Sequence, residues 1–166
     1  QMHAYLRKQY PHGAEKQPGK KIQSAINSIC ALLRGEAHDL MTLNLNMQGV
    51  PPFHRRVYEV TRAIKPGTTL TYGQVAQKLG SPGAARAVGQ ALGKNPFAII
   101  VPCHRVLAAG GKLGGFTAQG GILTKQRMLE IEGAFAQDRV KSKVPAAKAA
   151  KAVKAVKAVK RNAVAV

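Results

Sequence analysis

The sequence predicts an α/β protein of the α+β kind, mostly helical, with a helix-turn-helix at its centre and a smaller part with strand character before it. Three observations carry that expectation. Apolar residues recur at helical spacing in two stretches, Ile22, Ile26, Ile29 and Leu33, then Phe53, Val57, Val60 and Ile64. Met41, Leu43, Leu45 and Met47 instead alternate with Thr42, Asn44, Asn46 and Gln48, the period of a half-buried strand. Between 72 and 93 two short helical patterns meet across Gly80, Ser81 and Pro82, as in a helix-turn-helix.

Taken in order, residues 1–20 are polar, hold Pro11, Gly13, Pro18 and Gly19, and offer little structure of their own. A helix is predicted over 22–33, closing at Gly35, with Cys30 on its apolar face and expected to pack as a small buried hydrophobe. The alternating run 41–47 follows, and Gly49, Val50, Pro51 and Pro52 mark a boundary. The next helix spans Phe53 to Ile64 and ends at Pro66 and Gly67. Thr71 and Gln74 stand at capping-box spacing, so a helix starts near Tyr72 and stops at Gly80. Ser81 offers an N-cap and Pro82 a first helical position for a second helix, broken at Asn95 and Pro96. Residues 97–101 are a short apolar run that delivers Cys103. Gly110 and Gly111 predict a hairpin turn between 106–108 and 113–116. A last helix covers 123–132, capped by Gly133.

The formal charge of +19 on 166 residues points to a polyanionic partner, nucleic acid or an acidic membrane surface. No apolar run is long enough to span a bilayer and no signal-peptide pattern opens the chain, which favours nucleic acid. The chain starts at Gln1, so a missing or processed N-terminus is expected. Two cysteines, Cys30 and Cys103, make neither a disulfide framework nor a four-ligand zinc site, and fit a reducing, intracellular compartment. After Asp138 no acidic residue occurs while Arg139, Lys141, Lys143 and further lysines accumulate. The Lys-Ala-Val repeat from Lys151 has period three, which drifts around a helix and fixes no polar face. Residues 139–166 are therefore expected to be a disordered basic tail, with a purely solubilising role as the bland alternative. The organisation expected is 1–50, a partial N-terminal domain; 51–138, the domain carrying the chemistry; and 139–166, the tail.

Chemistry concentrates at Pro102-Cys103-His104-Arg105. A free thiol is only a few per cent ionised at neutral pH, so Cys103 needs a base to act as a nucleophile. His104 is adjacent, but neighbouring side chains diverge, and a direct bond needs a bent backbone or a bridging water. Upstream, Arg86 is the only long side chain among Gly83, Ala84, Ala85, Ala87 and Gly89. A helix so bare can approach a minor groove closely while its arginine inserts. Packing against another helix, with Arg86 solvated, is the competing reading.

In this order and at these spacings, the motifs resemble the methylated-DNA–protein-cysteine methyltransferases, which move the alkyl group of 6-O-alkylguanine in DNA onto their own cysteine. The resemblance runs from about Ile22 to Gly133 and is densest from Tyr72 to Val106. It implies an N-terminal domain with a small sheet, here incomplete because the first strands are absent. It implies a water-linked pair of Cys103 and His104 with Glu132 orienting the imidazole, and Asn95 ordering the active-site turn. Arg86 matches the finger that fills the gap left by an extruded nucleotide, on a helix that meets DNA through Ala85, Ala87 and Gly89. Tyr72 matches a tyrosine that assists guanine recognition, and Val106, Phe116, Thr117 and Lys125 border the same pocket, while Arg105 supports the active-site segment. Phe116 stands where some relatives carry tyrosine, and Ala118-Gln119 lengthens the pocket loop by two residues. The implied function is irreversible, single-use repair of 6-O-methylguanine and 4-O-methylthymine by a monomer acting on double-stranded DNA. No cofactor or metal is implied, and no membrane; the location would be the cytoplasm, at the nucleoid in a prokaryote, or the nucleus in a eukaryote. The competing class is a non-catalytic helix-turn-helix DNA-binding protein, which has no use for Cys103.

Overall fold

The computed structural model describes residues 7–8, 11–14, 16–36, 38, 40–118 and 120–134; the tail 139–166 lies outside the described residues. Helix α1 (Lys20–Leu33) stops at Arg34, and Gly35, at φ 88°, turns the chain away. Only Ala31 and Leu32 of this helix are buried, while Ile22 and Ile26 are 60% and 40% exposed. Cys30 is also exposed, which corrects the expectation of a buried thiol: among the described residues α1 buries side chains only through its last turn.

The strand expected over 41–47 does not form. The alternation is real, with Leu43, Leu45 and Met47 half-buried and Thr42, Asn44, Asn46 and Gln48 exposed, but no described strand pairs with the run. Arginines of helix α2 (Pro52–Arg62) occupy its carbonyls instead. Nη2 of Arg62 donates to the carbonyls of Leu40, Met41 and Leu43 at 3.2, 2.8 and 2.8 Å, and Nη2 of Arg55 to that of Met47 at 3.1 Å. Period two here records an extended chain laid against a helix, with Leu45 and Met47 against the core. The sheet expected in the N-terminal part is likewise absent among the described residues.

The one described strand pair lies in the second part. Strand β1 (Leu70–Thr71) runs parallel to β2 (Val106–Leu107), with Leu70 opposite Val106 and Thr71 opposite Leu107. This replaces the expected hairpin of 106–108 with 113–116. The glycines do make a turn, a single 3-10 turn over Ala109–Gly111 closed by Ala108 N–H on the Lys112 carbonyl at 2.7 Å, but no ladder follows it. Val106 and Leu107 are both buried and already paired with β1.

Helix α3 (Tyr72–Lys78) begins as the sequence requires. Thr71 Oγ1 accepts the Gln74 N–H at 3.2 Å, and Gln74 Oε1 accepts the Thr71 N–H at 2.7 Å. Helix α4 (Ala85–Gly93) starts later than expected, because Ser81 and Pro82 build the turn and do not cap it: Ser81 N–H bonds to Ala76 O and Ala84 N–H to Ser81 O. Helix α5 (Gly121–Ile131) closes the described chain, with Gly133 at φ 74° after it. Helices α2, α3 and α4 share one core of Val57, Tyr58, Val75, Ala76, Val88 and Ala91, which Val101 and Val106 join from either side of the cysteine. Among the described residues no helix is long and apolar enough to cross a membrane.

Candidate active site and DNA-reading helix

The strand pair fixes the site. Thr71 ends β1 and caps the helix whose first residue is Tyr72, while β2 begins right after Arg105, so Tyr72 and Cys103 are drawn to one place. Cys103 opens a 3-10 turn, Cys103–Arg105, and is half-buried. Asn95 shapes the approach to it. Its Nδ2 donates to the Val101 carbonyl at 2.9 Å, and its Oδ1 accepts the Phe97 N–H at 2.9 Å. Between them Ile99 is held at φ 73°, a left-handed backbone that a β-branched residue adopts only under constraint. Asn95 therefore does more than terminate a helix: it ties down a strained loop immediately before Cys103.

Behind the thiol lies a buried ionic relay. Glu132, the residue after α5, is 3% exposed and His104 is 1% exposed. Glu132 Oε1 takes the His104 Nε2–H at 2.9 Å and the Arg105 Nη2–H at 2.8 Å; Oε2 takes the Arg105 Nε–H at 2.9 Å. Arg105 Nη1 also donates to the Ile64 carbonyl, which ties the relay to the end of α2. Burial alone would raise the Glu132 carboxyl, but the hydrogen bonds and charges of His104 and Arg105 outweigh it and hold the group at about 2. Burial lowers the His104 pKa, partly offset by Glu132, so the ring is neutral at physiological pH. With Nε2–H committed to Glu132, Nδ1 is the nitrogen left to take a proton.

The thiol itself is pushed up by burial, and the Asn95 side chain, the Lys125 charge and the backbone amides of Cys103 and His104 pull it partly back. It is a protonated thiol that needs a base. Lys125 is buried, donates to the Val106 carbonyl at 2.6 Å, and has its ammonium 5.9 Å from the Tyr72 ring and 6.0 Å from that of Phe116. Burial lowers its pKa to about 8, against the opposing pull of Cys103. The Tyr72 ring is set between two glycines. A Cβ on Gly89 would lie 3.8 Å from it, and one on Gly114, at φ 66°, 3.5 Å.

Cys103, His104, Glu132, Asn95, Tyr72, Val106, Phe116 and Lys125 thus converge. Thr117 is less engaged: it is exposed, and its hydroxyl donates to the Gly93 carbonyl at 3.3 Å, across to the end of α4. On α4, Arg86 is exposed and unpaired among the described residues, with Ala85, Ala87 and Gly89 half-exposed around it. The resemblance implied only that Arg105 supports the active-site segment; its two-nitrogen grip on Glu132 is not in the local pattern, and the role of Tyr58 was missed altogether. Tyr58 is buried and donates to the Ala91 carbonyl at 2.9 Å, pinning α4 to α2. Lys125 had a legible signal, since it sits on the apolar stripe of Met128 and Leu129 where a lysine is out of place.

A half-buried cysteine backed by a buried histidine–glutamate pair, beside a small-residue helix of a helix-turn-helix, is the arrangement a DNA-directed transferase using its own thiol would need. Comparison with known proteins makes this specific. The family "6-O-methylguanine DNA methyltransferase, DNA binding domain" matches residues 52–134. The methylated-DNA–protein-cysteine methyltransferase of Mycobacterium bovis is 43% identical over 125 residues, which is 75% of this chain and 68% of that protein. That of Salmonella typhimurium is 51% identical over 85 residues, covering 51% and 48%. Among solved structures, the Mycobacterium tuberculosis OGT in complex with DNA superposes with a TM-score of 0.61 at 44% identity, covering 68% of this chain and 67% of that one. The 6-O-methylguanine-DNA methyltransferase of Pyrococcus kodakaraensis gives 0.58 at 34% identity, covering 80% and 76%. The chain belongs to the methylated-DNA–protein-cysteine methyltransferase family.

Proposed function

We propose that this protein repairs alkylated DNA directly, moving the alkyl group of 6-O-alkylguanine onto Cys103 and being consumed in doing so. The observation that carries this reading is the relay: a base with one nitrogen locked on a buried carboxylate, adjacent to a thiol that burial keeps protonated. His104 Nδ1 takes the thiol proton, through a bridging water where the side chains diverge. Sulfur then bonds to the alkyl carbon as the carbon–oxygen bond breaks, the departing guanine anion takes up, through solvent, the proton that His104 accepted, and a thioether remains on Cys103. Lys125 lends positive charge to the forming thiolate, and Tyr72 and Phe116 border the base. Reaching a base inside a duplex means extruding it at a cost of about a few kcal/mol, and Arg86 fills the vacated stack. The working unit is residues 51–138, acting as a monomer on double-stranded DNA, with 6-O-methylguanine and 4-O-methylthymine as substrates. The test is mass spectrometry after incubation with a methylated oligonucleotide. One methyl group should appear on the peptide containing Cys103 and saturate at one per protein, and Cys103→Ala should bind DNA without accepting it. Binding with no transfer by the unmodified chain would instead indicate a non-catalytic DNA-binding protein.

A further inference from the structure

Beside the active-site segment lies a cleft of about 580 Å³ that shares Arg105 with the relay. Its walls come from three places: the extended segment at His38, Leu40 and Met41, the last residue of α2 and the turn after it from Arg62 to Pro66, and Ile99, Ile100 and Arg105 on the chain flanking Cys103. Its size falls within the range of about 300–1,000 Å³ typical of small-molecule sites. The chemistry of the lining is one-sided. Leu40, Ile64, Ile99 and Ile100 supply an apolar surface, and four basic side chains, His38, Arg62, Lys65 and Arg105, stand around it with no carboxylate among the described lining residues.

These bases are not equally free. Arg105 is committed to Glu132 and the Ile64 carbonyl, and Arg62 Nη2 to the carbonyls of Leu40, Met41 and Leu43. His38 lies 4.0 Å from Glu36. Lys65 is exposed, and its ammonium has no partner among the described residues. Apolar walls with an exposed, unpaired lysine, one buried guanidinium (Arg105) and one half-buried guanidinium (Arg62) suit a small organic carboxylate with an apolar body. A neutral analogue would gain the same apolar contact without the charge. We propose that the cleft binds such a carboxylate and that its occupancy slows transfer at Cys103. The coupling runs through Arg105, which lines the cleft and also holds Glu132, and through it the ring of His104. An anion at that wall competes for the guanidinium and loosens the orientation of the base.

The test uses the full chain with methyl-labelled isoleucines, 4-phenylbutyrate as the probe and 4-phenylbutyramide as its neutral counterpart. The carboxylate should shift the Ile64, Ile99 and Ile100 methyls saturably, and the amide should bind at least about tenfold more weakly. Lys65→Glu should weaken the carboxylate by a similar factor while leaving transfer to free 6-O-benzylguanine unchanged without probe. Saturating carboxylate should slow that transfer several-fold in the unmodified chain. Equal binding of carboxylate and amide, binding indifferent to Lys65→Glu, or transfer unaffected at saturation would each overturn the proposal. The resonance shifts do not depend on alkyl transfer, so failure here leaves the repair reading standing, and failure of repair leaves the binding test intact.

Discussion

Replacing Glu132 by glutamine preserves its volume and removes the charge on which three buried donors converge. In the native protein two nitrogens of Arg105 and one of His104 point at the carboxylate from 2.8–2.9 Å, with side-chain exposures of 6% for Arg105 and 1% for His104. Glutamine offers one acceptor oxygen and turns an N–H₂ toward donors. Breaking a buried pair from one side costs about 3–5 kcal/mol, because the stranded charge keeps its desolvation penalty. Arg105 retains the Ile64 carbonyl, which places the expected loss near the lower end, about 3 kcal/mol. That is a large share of a domain stability of about 5–15 kcal/mol. Urea titration should show a lower midpoint at unchanged slope. Transfer to free 6-O-benzylguanine should fall about a hundredfold as the base loses its orientation. The double variant Arg105→Met/Glu132→Met separates the two effects. With no charge left unpaired, it should recover most of the stability and none of the transfer. A loss below about 1 kcal/mol for Glu132→Gln, or a double variant no more stable than the single, would show that the relay is not a coupled buried unit.

Four further outcomes follow from the same geometry. The Glu132 carboxyl sits at about 2 in the fold against an ordinary 4.5, so its stabilisation is whole above about pH 4.5 and fades as the pH falls toward 2; acid titration of Glu132→Gln should lack that limb. Lys125 is charged below about pH 8, so Lys125→Met should slow free-base transfer there and converge with the native rate at higher pH; a constant ratio across pH would refer the effect to packing. Arg86→Ala should impair repair of duplex DNA far more than reaction with the free base, and equal losses would place Arg86 in the chemistry or the fold. Truncation after Asp138 removes nine basic residues and should flatten the slope of log affinity against log salt, each lost phosphate contact contributing about 0.9, while free-base transfer stays unchanged.

Much of the second part was legible because its signals are local. Thr71 and Gln74 announce their helix through a capping box that forms bond for bond, and the apolar spacing of Phe53, Val57 and Val60 marks α2. The misreadings share a cause: a pattern can be correct while its partner is wrong. Leu43, Leu45 and Met47 face inward at strand spacing, yet their backbone is met by arginine side chains, which periodicity does not encode. Gly110 and Gly111 do turn the chain, but Val106 and Leu107 pair with Leu70 and Thr71, far away in sequence. In the site, Cys103, His104 and Glu132 could be named from the family resemblance, whereas the two-nitrogen grip of Arg105 on Glu132 spans 27 residues and leaves no local pattern.

The pairing of Leu70–Thr71 with Val106–Leu107 also settles what kind of object this protein is. The whole helix-turn-helix is spliced between the two strands, so the pairing that sets Cys103 beside Tyr72 also closes the chain around both of its helices. The helix-turn-helix and the residues around Cys103 are therefore not two modules joined by a linker. A fragment carrying α3 and α4 alone would leave β1 without its neighbour, and one beginning at Cys103 would leave Glu132 with no α2 to bind through Arg105. Exchanging α3 and α4 for other helices would rebuild the surroundings of Cys103 along with them, because Tyr72 opens α3 and the Gly93 carbonyl at the end of α4 accepts from Thr117.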